Sequence, residues 1–172
     1  MKRVLITGAG GQLGGCFARY LDQKGIEVEA AGRQDLDIRD FSAVSKTVGE
    51  GGFDAVINCA AFNDVDGAES AVHEAIDVNA LGPRNLAIAC EREGAVLMHF
   101  STDYVFGGGR NTPFTIADIP NPLGAYARSK LLGERLVREQ CPISYVVRVS
   151  WVFAPDGRNN FVAKMLGWAE GK

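Results

Sequence analysis

Strand-like and helix-like segments alternate along all 172 residues of this chain, and that alternation narrows the fold more than any other feature. Arg3–Ile6 reads as a short apolar strand, and Gln12–Lys24 as a helix whose apolar positions Leu13, Phe17 and Leu21 recur every three to four residues. Val28–Ala31 follows as a second strand, Phe41–Val48 as a helix capped by Asp40, and Asp54–Asn58 as a third strand. A long helical region spans Ala68 to Arg92, with a bend expected at Gly82-Pro83 because proline cannot continue the hydrogen-bond ladder. Ala95–Ser101 is a fourth strand, and Tyr104–Leu123, rich in Gly, Pro, Asn and Thr, is an irregular loop. A helix over Gly124–Glu139, a fifth strand over Ser144–Ser150 and a helix over Asn160–Glu170 complete the chain. Strands joined by helical crossovers imply a parallel sheet covered on both faces, so the expected fold is a doubly wound α/β sheet of Rossmann type, one domain over residues 1–172. In such sheets ligands bind at the carboxyl ends of the strands, and chemistry is to be sought in the segments that follow them.

Composition removes several alternatives. The net charge of −3 argues against nucleic acid or a membrane surface as the main partner. No apolar run approaches the roughly 18 residues of a membrane span. The apolar stretch after Lys2-Arg3 is cut at Gly8, which makes it a first strand and not a signal peptide. Cys16, Cys59, Cys90 and Cys141 are widely separated, three of them in apolar surroundings. Neither a metal site nor a disulfide framework is expected, and reduced thiols and a cytoplasmic location are. His73 and His99 have no ligand-like spacing; the first is expected on a helix surface and the second inside the fourth strand.

After the first strand comes Gly8-Ala9-Gly10-Gly11-Gln12-Leu13-Gly14. Glycines at that spacing allow a tight turn and close backbone approach to a pyrophosphate, which the N-terminus of the next helix can hold. Gly8, Gly10, Gly11, Gln12, Leu13 and Gly14 are therefore candidate cofactor-binding positions for a dinucleotide. The second strand ends in Ala30-Ala31-Gly32-Arg33, where NAD enzymes usually carry an acid for the ribose hydroxyl. A guanidinium there suits a 2′-phosphate, so Arg33 favours NADP(H), and a merely solvated Arg33 is the alternative. Asp37 and Ile38 are expected near the adenine, and NAD(H) stays open.

Tyr126 and Lys130 stand one helical turn apart and share a helix face. A phenol holds its proton to about pH 10, and an ammonium group beside it favours the phenolate. The pair suits proton transfer to or from a carbonyl or hydroxyl oxygen. The same spacing also occurs on plain solvated helices.

Ser101-Thr102-Asp103-Tyr104-Val105-Phe106 after the fourth strand, Tyr126-x-x-x-Lys130 and the glycine loop together resemble the extended short-chain dehydrogenase/reductases. Asn58-Cys59-Ala60-Ala61, Val65-Asp66-Gly67-Ala68-Glu69, Asp77-Val78-Asn79, Arg148-Val149-Ser150-Trp151-Val152-Phe153 and Asn159-Asn160-Phe161 narrow the resemblance to the dTDP-4-dehydrorhamnose reductase branch, over almost the whole chain. The resemblance implies NAD(P)H-dependent reduction of the C4 ketone of dTDP-6-deoxy-L-lyxo-4-hexulose to dTDP-L-rhamnose. It implies that Tyr126 donates the proton, that Lys130 lowers the tyrosine pKa and binds the nicotinamide ribose, and that Thr102 hydrogen-bonds the reacting oxygen. Cys59, Ala60 and Ala61 fall at cofactor positions, and Thr102, Asp103, Trp151 and Asn160 at substrate positions. Trp151 could equally close the core at the fifth strand, and Asn160 could cap the last helix. Asn79 is expected to hold backbone near the site. A homodimer is left open.

Ala127, Asn63 and Phe114-Thr115-Ile116-Ala117-Asp118 depart from the usual pattern of this branch, which bears on substrate detail and not on reaction type. The family continues beyond the last helix into a lobe that closes over the sugar nucleotide, whereas this sequence stops at Lys172, so a cofactor half without that lobe is expected. Much of this pattern is similar to the beta subunit of methionine adenosyltransferase, which leaves a non-catalytic regulatory or nucleotide-binding role open.

Overall fold

Arg3–Thr7, β1, is buried from Val4 onward because a strand lies on either side of it and helices cover both its faces. The computed structural model describes residues 2–154 and 161–171. With β2 (Glu27–Ala31), β3 (Ala55–Asn58), β4 (Val96–Thr102) and β5 (Ser144–Val149), β1 forms one five-stranded sheet in the order β2-β1-β3-β4-β5. Every pairing is parallel. The chain builds outward from β1 to β2 and then crosses to the other side for β3, which opens a crevice at the carboxyl ends of β1 and β3. The expected doubly wound fold is thus present.

Successive strand residues serve opposite faces, as the two-residue period requires. Leu5, Val56 and Leu97 join one core with residues of α2 (Phe41–Gly51), α4 (Gly82–Glu93) and α5 (Ala125–Gln140). Val4, Ile6 and Ile57 join the other with Phe17 and Leu21 of α1 (Gln12–Gln23). Asp40 caps α2 as expected, accepting from the amides of Ser42 and Ala43. A further helix, α6 (Phe161–Ala169), buries none of its residues.

The long helical region expected over Ala68–Arg92 is broken. A 3-10 turn (Gly67–Glu69), a short α3 (Val72–Ile76) and a π turn (Asp77–Leu81) precede α4. Proline supplies the reason. Pro83 has no N–H for the carbonyl of Asn79, and its ring crowds that carbonyl, so the turn widens just ahead of it. The Asn79 carbonyl instead faces α5, where a Cβ on Gly133 would lie 2.1 Å from its oxygen. Asn79 itself is fully buried; its amide bonds both the N–H and the C=O of Phe62 (2.9 and 3.0 Å) and reaches Ser129 Oγ at 3.0 Å. Asn79 therefore fixes α5 at the turn that carries the Tyr126/Lys130 pair, in keeping with its expected backbone-holding role.

Candidate active site

The glycine loop turns on Gly8, which sits at φ +68° against the end of β3. A Cβ there would lie 2.5–2.7 Å from backbone atoms of Cys59 and Ala60, so only glycine lets the two strand ends close. Gly11 is the N-cap of α1 and no side chain caps the helix, while a Cβ on Gly10 would meet nothing within 4 Å. The helix end is thus presented to open space, the arrangement an anionic pyrophosphate fits.

Opposite the loop, Asn58 at the end of β3 anchors Cys59-Ala60-Ala61. Its Oδ1 accepts from Thr7 Oγ1 (2.7 Å) and from the Ala60 N–H (3.1 Å). Its amide nitrogen therefore donates to His99 Nδ1 at 3.0 Å, which puts the imidazole proton on Nε2. His99 is wholly buried, and burial, with Lys130 nearby, holds its pKa well below the ordinary histidine value. His99 is a neutral support for Asn58 and not a proton donor. His73 lies on the exposed surface of α3.

At the end of β4 the Thr102 hydroxyl accepts from the Tyr104 N–H (3.2 Å) and donates to Asp103 Oδ1 (3.2 Å). The other Asp103 oxygen accepts from Ser150 Oγ at 2.7 Å, which ties the ends of β4 and β5 together. Thr102 and Tyr126 border the same cleft. Tyr126 packs edge-on against Tyr104, ring centroids 6.2 Å apart. Lys130 is 3% exposed and donates to the Phe100 carbonyl at 2.6 Å.

This geometry corrects one expectation. Burial raises the Tyr126 pKa above the ordinary phenol value, only partly offset by the neighbouring Thr102 hydroxyl. Lys130, directed to a backbone carbonyl, does not lower it. Burial acts on Lys130 too and brings its ammonium down to about 8, with Glu134 opposing. A phenol that stays protonated at neutral pH is suited to donate, and a lysine still charged there is suited to hold hydroxyl groups.

A cleft of about 800 Å³ runs from the glycine loop to this pair. Of the sequence candidates, Gly10, Gly11, Gln12, Leu13, Gly14, Cys59, Ala60, Ala61, Thr102, Asp103, Tyr126, Lys130 and Trp151 line it, while Gly8 lies beneath the loop. Arg33, Asp37 and Ile38 lie outside it. Arg33, two residues past the end of β2, is exposed and stands 4.0 Å from Asp37 and 3.8 Å from Glu74. Asp37 is gripped by Arg39, whose hydrogen bonds bring its pKa down to about 2. The Ile38 side chain is buried in the core, so only its backbone could face an adenine. Trp151 is 64% exposed and does not close the core; it carries φ +49°, a costly conformation for a bulky residue, and meets Phe161 edge-on at 4.8 Å. Asn160 lies outside the described residues.

Sequence reasoning missed several contributors. Cys16, Arg19 and Val152 also border the cleft, and Gln12 donates to the Val152 carbonyl at 3.2 Å, joining the glycine loop to the segment after β5. The Asn58–His99 pair and the Glu134–Arg148 ion pair have no spacing signal, since their partners come from different elements. Among the described residues no cluster could hold a metal, and no helix is long and apolar enough to cross a membrane.

The buried lysine makes a stability prediction. Its folded pKa, about 8, lies below its ordinary 10.5, so between those values the unfolded chain keeps a proton that the folded chain has lost. Stability then rises with pH across that window. Half-buried Cys59 and buried Cys90, whose thiols desolvation pushes from 9.0 up to about 12, act in the opposite sense above pH 9.0. Urea titrations at pH 8 and pH 9 are expected to show wild type gaining stability relative to Lys130→Met; a constant difference would remove the buried, depressed ammonium.

The RmlD substrate binding domain model matches residues 1–172, the whole chain. The chain belongs to this family. A curated family relative, the dTDP-4-dehydrorhamnose reductase of Mycobacterium tuberculosis, is 45% identical over 99% of this chain and 57% of its own length. The crystal structure of a dTDP-4-dehydrorhamnose reductase from Clostridium acetobutylicum is 43% identical and superposes with a TM-score of 0.94 over 98% of this chain and 60% of that one. That of Bacillus anthracis, in complex with NADP, is 38% identical with a TM-score of 0.95 over 100% and 61%. The chain therefore spans about three-fifths of the length of these relatives.

Proposed function

We propose that this chain is the cofactor-binding and proton-donating part of an NADP(H)-dependent keto-sugar reductase, converting the C4 ketone of dTDP-6-deoxy-L-lyxo-4-hexulose to the hydroxyl of dTDP-L-rhamnose for cell-surface polysaccharide. The observation that carries this reading is the single cleft joining an uncapped helix end behind a glycine loop to half-buried Tyr126 and buried Lys130, with Thr102 beside them. The relatives' names and the NADP held by one of them support it.

A bound nicotinamide supplies hydride to the ketone carbon. This chain's residues then manage charge on the oxygen. Tyr126, kept protonated by burial, gives its proton to the developing alkoxide, so hydride and proton together complete the alcohol. Thr102 offers a second hydrogen bond there, and must release Asp103 Oδ1 to do so. The Lys130 ammonium would hold the nicotinamide ribose and recharge the phenol. Asp103 and Trp151 border the side on which the sugar nucleotide would enter. The reaction is read as cytoplasmic, and a homodimer is left open.

The test is NADPH consumption with the keto sugar, followed alongside NADPH and NADH affinity. Arg33→Ala is expected to weaken NADPH by about 1–3 kcal/mol, the worth of a charge-assisted contact, and to leave NADH unchanged. Equal effects on both nucleotides would place the 2′-phosphate elsewhere. Nucleotide binding without any turnover of keto sugar would favour the non-catalytic reading.

A further inference from the structure

Glu134, one turn beyond Lys130 on α5, is 1% exposed, and Arg148 on β5 meets both its oxygens, Nε to Oε1 at 2.9 Å and Nη2 to Oε2 at 2.6 Å. A buried ion pair adds little net stability because desolvation offsets its attraction, so its worth lies in geometry. Two-point contact fixes the plane of the guanidinium. That plane lies over the Phe106 ring, 4.7 Å from its centroid. Phe106 in turn stacks on Phe114, centroids 4.5 Å apart and planes 6° from parallel. The Arg110 guanidinium covers Phe114 at 4.1 Å and is held by Asp118 at 2.7 and 2.8 Å. A cation–ring–ring–cation ladder thus runs from the interior of α5 to the outside of the loop over residues 107–122. The loop's far end is pinned where the Asn121 N–H donates to the Val105 carbonyl at 2.8 Å.

What the ladder positions is a wall of a second cavity. Phe114, Gly107 and Gly108 face Leu123, Val65 and Tyr126 across about 400 Å³ of largely apolar space. We propose that Arg148 is a positioning residue: locked from behind by Glu134, its guanidinium carries the stacked rings of Phe106 and Phe114 and so sets where the 107–122 loop stands over the cavity beside Tyr126. Its consequence for substrate rests on the reductase reading, since a sugar placed against Tyr126 would share that wall. In turnover, releasing the loop should raise KM for the sugar nucleotide and leave NADPH affinity unchanged.

Hydrogen exchange of the 172-residue chain tests the ladder without reference to turnover, so its failure and that of the reductase reading are separable. In Arg148→Lys, which keeps a charge for Glu134 but loses the planar fork, amides of residues 110–118 are expected to exchange about tenfold faster, with β1 unchanged. Phe106→Leu should behave alike and Phe106→Tyr like wild type, because only a ring can stack; mere filling of space would be satisfied by leucine. Wild-type exchange of the loop in Arg148→Lys, or in Phe106→Leu, overturns the proposal. Should Arg148→Lys lose β1 protection through unfolding, the Leu/Tyr pair at position 106 decides, together with Arg110→Ala at the exposed end, expected to speed loop exchange about two- to fivefold.

Discussion

Replacing Tyr126 by phenylalanine is expected, on the proposed reductase reading, to cut NADPH-dependent reduction of the keto sugar by about 10²- to 10⁴-fold, the range for losing a positioned general acid. The substitution is mild in every other respect. The ring keeps its edge contact with Tyr104, and α5 stays fixed by Asn79 through Ser129, so the cleft keeps its shape. Only the hydroxyl on the Thr102 side of the cleft is lost. NADPH affinity should therefore match wild type while turnover collapses, a split that fluorescence titration and rate measurement read separately. A variant that keeps its rate would remove Tyr126 from the chemistry and move the proton donor elsewhere.

The largest effect on folding is expected at Gly8. Alanine there must take φ +68°, which costs about 1–2 kcal/mol for an L-residue. Its Cβ would also lie 2.5–2.7 Å from the nitrogen and Cα of Ala60 and the carbonyl carbon of Cys59. Those are backbone atoms at the end of β3, themselves held by Asn58 and the β1 pairing, so they cannot step aside as a side chain would. Strain and overpacking together should cost roughly 3 kcal/mol or more. Denaturant titration of Gly8→Ala measures the loss, and nucleotide binding should fall with it because the loop and Cys59-Ala60-Ala61 border one cleft. Stability within about 0.5 kcal/mol of wild type, the range of a neutral surface change, would show that the loop relaxes freely.

Much of this was legible in the residues. Apolar strand runs, the Asp40 cap and the glycine turn are short-range patterns, and each lies where its spacing placed it. Trp151 was only half legible. Its position after β5 put it at the strand end, but exposure and a positive φ, not its chemistry, remove it from the core. The region over Ala68–Arg92 was misread as one bent helix because Pro83 acts on the carbonyl four residues earlier, and the π turn it forces needs α5 as its neighbour. His99 was placed in the fourth strand but its partner was not legible, since Asn58 lies 41 residues away on another strand.

The sequence by itself determined the layered sheet, the cleft at the strand ends and many of the residues bordering it, because hydrophobic period and turn chemistry are written in neighbouring positions. Tertiary structure alone decided how those residues are charged and held. Spacing placed an ammonium one turn from a phenol and implied an acidic tyrosine; burial of both groups reversed that, leaving Tyr126 protonated and Lys130 near 8. It also decided that Glu134, Arg148, Phe106 and Phe114 form one stack. Dielectric environment and stacking depend on what the fold brings together from distant parts of the chain, and no local pattern records that.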